Sequence, residues 1–167
     1  MTGTDWSIIG VVVGIIGICI ALFVPEVRRF LGIGRVKAII ENIWIEFNVL
    51  DKSSRRGMRI HIKFRVDRML NKTGRCDIYF WHSDGAVLKG GNNRLYITPD
   101  GNVAVAEGFT PNHEECVFND FVIFMPHEEF HLPHGSHNLQ FMVRLFDHNN
   151  EQIAISNYIH FNLNLLN

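Results

Sequence analysis

The sequence predicts a mainly β protein with one N-terminal transmembrane helix, its soluble part folding as an antiparallel β-sandwich or small β-barrel. Three observations lead there. Residues 6–24 run without a single charged side chain. From Ala38 onward the apolar period changes from helical to two. Short alternating runs then recur between turn-forming residues, with no amphipathic helical pattern among them.

The chain has 167 residues, 47% hydrophobic and 20% charged, enough for one domain of ordinary size. Sixteen Lys+Arg against seventeen Asp+Glu leave a net charge of -1, which argues against a dedicated binder of duplex nucleic acid. Three cysteines cannot make a disulfide scaffold.

At a rise of about 1.5 Å per residue, a helix over 6–24 reaches roughly 28 Å, close to the hydrocarbon thickness of a bilayer. Trp6 suits the headgroup level at one end, and Pro25 breaks the pattern at the other. Arg28, Arg29, Arg35 and Lys37 follow, whereas Asp5 is the only charged side chain ahead of the span. The positive-inside bias therefore predicts residues 1–5 outside, a single pass through the inner membrane, a basic juxtamembrane linker over 25–40, and a cytosolic domain over 41–167. A cleaved signal peptide needs basic residues before the apolar run, and none are there. Ile18 before Cys19 does not suit lipoprotein cleavage.

Ser7, Gly10, Gly14, Gly17 and Ala21 are spaced three, four, three, four, so they line one face of the helix. Gly10 and Gly14 make a GxxxG. Lipid gives helices no hydrophobic reward for associating, so close backbone approach through small residues is a principal route. The seam predicts a homo-oligomer.

In the soluble part, Ile43, Ile45, Phe47 and Val49 alternate with Trp44, Glu46 and Asn48. Residues 51–57 form a turn-rich break. Met58, Ile60, Ile62, Phe64 and Val66 then alternate with Arg59, His61, Lys63, Arg65 and Asp67, the cleanest half-buried strand in the chain. Further strands are expected over 76–82, 94–98, 103–109, 117–125, 138–146 and 153–163. Thr98-Pro99-Asp100-Gly101-Asn102 is a hairpin turn, since Pro presets φ and Gly supplies φ > 0.

Phe109-Thr110-Pro111, Asp120-Phe121, Phe124-Met125-Pro126, Gly135-Ser136-His137-Asn138-Leu139 and Phe146-Asp147 resemble the strand-corner phrasing of C2-like and immunoglobulin-like sandwiches. The resemblance covers residues 75–165 and implies a two-layer β fold. Calcium-binding C2 domains need paired aspartates in facing loops, whereas Asp84, Asp100 and Asp147 stand singly.

The near-neutral total hides a split. Residues 26–75 hold 13 Lys+Arg and five Asp+Glu; residues 76–167 hold three and eleven. Arg55, Arg56, Arg59, His61, Lys63 and Arg65 are the candidate ligand-binding set, with Arg59, His61, Lys63 and Arg65 on one strand face. Such a face reads as a solvated surface against anionic lipid or as a receptor for a phosphorylated ligand, where Arg forks onto phosphate oxygens. Head-to-tail contact between basic and acidic halves of neighbouring protomers is a third reading.

Four of the nine histidines fall at His127, His131, His134 and His137. Residues 127–131 match the H-E-x-x-H zinc-protease pattern, whose chemistry needs both histidines on one helical turn with the Glu over a zinc-bound water. Pro126 and Pro133 leave only six residues between them, so a polar loop is expected there, with these four histidines the ligands of any metal. No other catalytic set stands out; neither an enzyme nor a cofactor is expected. Cys76 and Cys116 read as free cytosolic thiols.

In overall plan the chain resembles small prokaryotic membrane-anchored defence effectors with a cytosolic β-rich sensor. The resemblance implies that a cyclic nucleotide or a partner protein triggers assembly and that the span acts on the membrane. The alternatives are an adaptor that holds a cytosolic partner at the membrane, and a metallohydrolase built on the His127–His131 region.

Overall fold

The computed structural model describes residues 34–165. The expected span 6–24 and its seam, Ser7, Gly10, Gly14, Gly17 and Ala21, lie outside the described residues, as do residues 1–5 and most of the 25–40 linker. Among the described residues no helix is long and apolar enough to cross a membrane.

Eight strands make two antiparallel sheets. β1 is Lys37–Leu50, β2 Arg56–Asp67, β3 Gly74–His82, β4 Ala104–Phe109, β5 Glu115–Pro126, β6 Gly135–Phe146, β7 Gln152–Ile155 and β8 Ile159–Leu165. One sheet has the order β1-β2-β5, and the other has β4-β3-β6-β7 with β8 also on β6. Neither sheet closes on itself, so the barrel alternative is corrected to two open sheets. β1 begins at Lys37, inside the stretch expected as linker.

The core follows from the alternation in β2. Met58, Ile60, Ile62, Phe64 and Val66 are fully buried and share one cluster with Cys76, Ile78 and Phe80 of β3 and with Leu139, Phe141, Val143 and Leu145 of β6. Phe64 bridges the layers: its ring stacks on Phe118 of β5 at 4.7 Å and meets Phe109 of β4 edge-on at 5.1 Å. Strict alternation would send Phe118 and Phe121 to opposite faces. The register between β2 and β5 slips between Ile62 and Phe64, opposite Asn119 and Asp120, so both phenylalanines pack against the core.

Two expected strands differ. Residues 94–98 form no strand, only an isolated bridge between Ile97 and Val103. The Asn93 side chain accepts from the Leu95 amide and its carbonyl from the Tyr96 amide, which bends the chain where alternation predicts extension. The Thr98–Asn102 turn forms as expected, with Gly101 at φ 77° and the Gly101 amide donating to the Thr98 carbonyl. The run 153–163 divides into β7 and β8, which pair with successive stretches of the same edge of β6. Ser156 spans the gap, its amide donating to the Val143 carbonyl while its hydroxyl accepts from the Val143 amide at 2.9 Å.

Candidate functional site

The outer face of β1-β2-β5 carries the predicted basic stripe. Arg59, His61, Lys63 and Arg65 project together between β1 and β5, and each meets an acid there. Arg59 contacts Glu46 at 3.2 Å, Lys63 contacts Glu41 at 3.0 Å, and Arg65 contacts Glu115 at 3.5 Å. His61 lies 2.7 Å from Asp120 with Trp44 stacked on its ring. The irregularity that admits Phe118 and Phe121 to the core also lies beside Asp120. Exposed pairs of this kind contribute about 0.2–1 kcal/mol each. Ile39 and Trp44 flank the stripe on one side, Val117 and Val122 on the other, all exposed.

Arg55 and Arg56 do not join this stripe. Arg55 bonds Asp51 at 2.8 Å and the Tyr96 hydroxyl at 3.3 Å. Desolvation works to raise the Asp51 pKa, but hydrogen bonds from Arg55 and from the Ser53 amide outweigh it and hold the carboxyl below its ordinary range. Arg56 shares the parity of Met58 and Ile60, so it projects from the inner face, past the end of the core, and makes no ion pair among the described residues.

The histidine-rich stretch behaves in a related way. Residues 127–130 form a four-residue 3-10 helix, and His131 leaves it in the left-handed region at φ 50°. The two histidines of the H-E-x-x-H pattern therefore do not share the face of an α-helix. Glu129 is buried on Asn93 at 2.6 Å, and His137 Nε2 lies 2.8 Å from the Pro133 carbonyl. The His131 ring packs against Gly91, where a Cβ would collide with it. Among the described residues no group of three His, Cys, Asp or Glu is placed to hold a metal ion.

His127 continues the inward parity of Ile123 and Met125 and is buried, its Nε2 without a hydrogen-bond partner among the described residues. Leu165 continues the parity of Phe161 and Leu163 on β8. Arg56 opens β2, Leu165 closes β8 and His127 follows β5, all three at inward parity, and they meet at one open end of the two layers. The cavity there measures about 290 Å³ and is completed by Asn48, Glu128, Leu132, His134 and Asn164. Burial, and then the Arg56 charge, hold the His127 pKa below its ordinary 6.5, so the ring is neutral at physiological pH. Glu128 leans toward Arg55 at 3.9 Å.

No protein-family model matches this chain, and no curated protein matches it either. Arg56, His127 and His134 belong to two separate expectations, a phosphate set and a metal set, and the fold brings them into one concave site. Asn48, Leu132, Asn164 and Leu165 were not singled out by sequence, since they carry no shared period. The outer face of the other sheet holds a second cluster that a period-two reading of β3 does reveal: Arg75, Asp77, Tyr79 and Trp81 alternate with core residues. Asp77 accepts from Arg75 at 2.6 Å and from the Tyr79 hydroxyl at 2.9 Å, and Arg144 stacks on the Tyr79 ring. Burial, followed by the Asp77 hydrogen bond and charge, pushes the Tyr79 hydroxyl up to about 12.

Proposed function

We propose that this chain is a membrane-anchored, self-associating, non-enzymatic ligand sensor. Residues 6–24 hold it in the inner membrane, the seam through Gly10 and Gly14 gathers copies, and the β head in the cytoplasm receives an anionic ligand. Its architecture suits a defence effector in which ligand binding triggers assembly and the span acts on the membrane. The observation that carries the sensor reading is the preformed cavity at the end of the core, which presents an arginine without an ion pair among the described residues. The stripe at Arg59, His61, Lys63 and Arg65 is a weaker receptor, since a phosphate there competes with four acids already in place.

The head itself reads as an immunoglobulin-like sandwich. Lettered in chain order, β1-β2-β5 facing β4-β3-β6-β7 follows the order A-B-E against C′-C-F-G, with antiparallel neighbours throughout. That order supports the immunoglobulin-like half of the expectation rather than the C2-like half.

A second reading, an adaptor holding a partner protein at the membrane, is favoured by the outer face of β1-β2-β5. Four exposed apolar side chains, Ile39, Trp44, Val117 and Val122, flank the ion pairs there and offer a partner apolar surface.

Carbonate extraction and in-membrane cross-linking test the assembly. The wild-type chain is expected in the membrane pellet as cross-linked oligomers, and Gly14→Leu as monomers in the same pellet. Recovery of the wild type as a soluble monomer overturns the proposal.

A further inference from the structure

We infer that the free edge of β1 is an interface with a second copy of this chain, two β1 strands pairing antiparallel about a two-fold axis between Glu41 and Asn42. The inference rests on the self-associating reading and deepens it by assigning a surface of the head through which gathered copies join.

β1 is the last strand of its sheet, paired with β2 on one edge alone. β7 of the facing sheet lies beside it without forming a ladder. The open edge over Lys37–Leu50 therefore presents a row of backbone donors and acceptors with no strand partner among the described residues. It is also apolar. Of the eleven exposed large apolar side chains among the described residues, Ile39, Trp44, Phe47 and Leu50 lie on β1, more than on any other strand. A long apolar edge without proline is one that another strand can extend.

The occupant follows from the sequence of the strand. Reversed about the midpoint between Glu41 and Asn42, β1 sets Lys37 opposite Glu46 of the second copy, Ala38 opposite Ile45, Ile39 opposite Trp44 and Ile40 opposite Ile43. Opposite residues in such a pair share a face. In a strictly alternating strand residues 39 and 44 lie on opposite faces, and this register fails. β1 does not alternate strictly, because its pairing with β2 shifts between Ile40 and Asn42 and leaves Glu41 as the extra residue. Ile39 and Trp44 therefore both project outward, across from Arg65 and His61 of β2. Ile40 and Ile43 both project inward, across from Phe64 and Ile62. The irregularity lies at the axis and makes the register self-consistent.

Charge selects the same pairing. Lys37 is exposed and has no ion pair among the described residues. Glu46 meets Arg59 and His61 through Oε2 alone, at 3.2 and 3.7 Å, which leaves Oε1 for a lysine from outside. The two-fold makes the Lys37–Glu46 contact twice, and opposite charges directly across a ladder stabilise it. The other free edges do not meet this condition. β5 carries Glu115 and Asp120 with no base, β4 carries Glu107 alone, and β7 and β8 carry no Lys, Arg, Asp or Glu.

The test uses the full chain in membranes, in a Cys19→Ser/Cys116→Ser background that leaves only the buried Cys76. Two differently tagged versions, one with Ile39→Cys and one with Trp44→Cys, are co-expressed and oxidised. Directly opposite Cβ atoms in a ladder lie about 4.5–5.5 Å apart, near enough for a disulfide. Expected is a disulfide dimer holding one tag of each kind, and none from either version expressed alone. Lys37→Glu in both versions is expected to lower its yield about tenfold, since two opposite-charge pairs become like-charge pairs. Lys37→Glu in one version and Glu46→Lys in the other is expected to restore the yield, which also shows that the variants fold. Gly14→Leu in both is expected to lose the dimer, because the edge pairs only among copies that the seam has gathered. Amine-cross-linked oligomers that give no mixed disulfide overturn the inference and leave the seam standing. A mixed disulfide that survives Gly14→Leu supports the edge and overturns the seam. Trp44→Cys joined to itself, a disulfide to a different protein, or a charge exchange that restores nothing overturns the inference as well.

Discussion

Cys76 and Cys116 are both free, yet their surroundings differ. Cys76 is fully buried on β3, and desolvation pushes its thiol well above the ordinary range; Cys116 is half-buried near the free edge of β5. An aromatic disulfide reagent is expected to titrate Cys116 quickly in the folded chain and Cys76 only after unfolding. Equal rates would contradict the burial of β3. His127 gives a pH-dependent counterpart. Its folded pKa lies below 6.5, so the unfolded chain binds more protons as pH falls through 6.5 toward the folded value. Stability is therefore full above pH 6.5 and declines below it. Thermal unfolding followed from neutral to mildly acidic pH is expected to show a shallower decline for His127→Gln than for wild type; an identical decline would place the responsible group elsewhere.

At the scale of the element, alternation in β2 was legible because both of its neighbours are paired and one of its faces is buried throughout. Val66, Phe64, Ile62 and Ile60 could occupy only one face. The irregularity near Asp120 was not legible. Its residues, Asn119 and Asp120, look like any polar pair, and the slip exists because Phe118 and Phe121 both gain from Phe64. The break between β7 and β8 is of the same kind: the sequence alternates across it, while Ser156 turns its side chain back to β6. Ser156→Ala removes the hydroxyl that accepts from the Val143 amide, with an expected cost of about 0.5–1.5 kcal/mol. Amide exchange at Val143 is expected to accelerate, while amides at the far end of β6 keep their protection. Uniform acceleration along β6 would mean that Ser156 supports the whole strand rather than the junction.

At the scale of the molecule, two aromatic clusters join the sheets: Phe64 touches β4 and β5 together, and Phe47 of β1 meets Phe161 of β8. Phe64→Ala is expected to cost about 3–5 kcal/mol in denaturant-induced unfolding, with a single transition for both sheets. Two separated transitions would show that the sheets are coupled more weakly than the shared core implies. The charge split along the chain also resolves at this scale. Glu115 and Asp120 of β5 pair with Arg65 and His61 of β2 across that split, whereas Glu41 and Glu46 of β1 belong to the basic half itself, so cross-strand pairing offsets only a small part of the polarity. The sequence by itself determined the β class, the strands with one buried face and the turn at residues 98–102, because side-chain period and local turn chemistry need no distant partner. Only the tertiary structure decided that Arg56 leaves the stripe and joins His127, His134 and Leu165. Those residues are far apart in the chain, and they meet because the start of β2, the end of β8 and the segments after β5 and before β6 come together around one cavity.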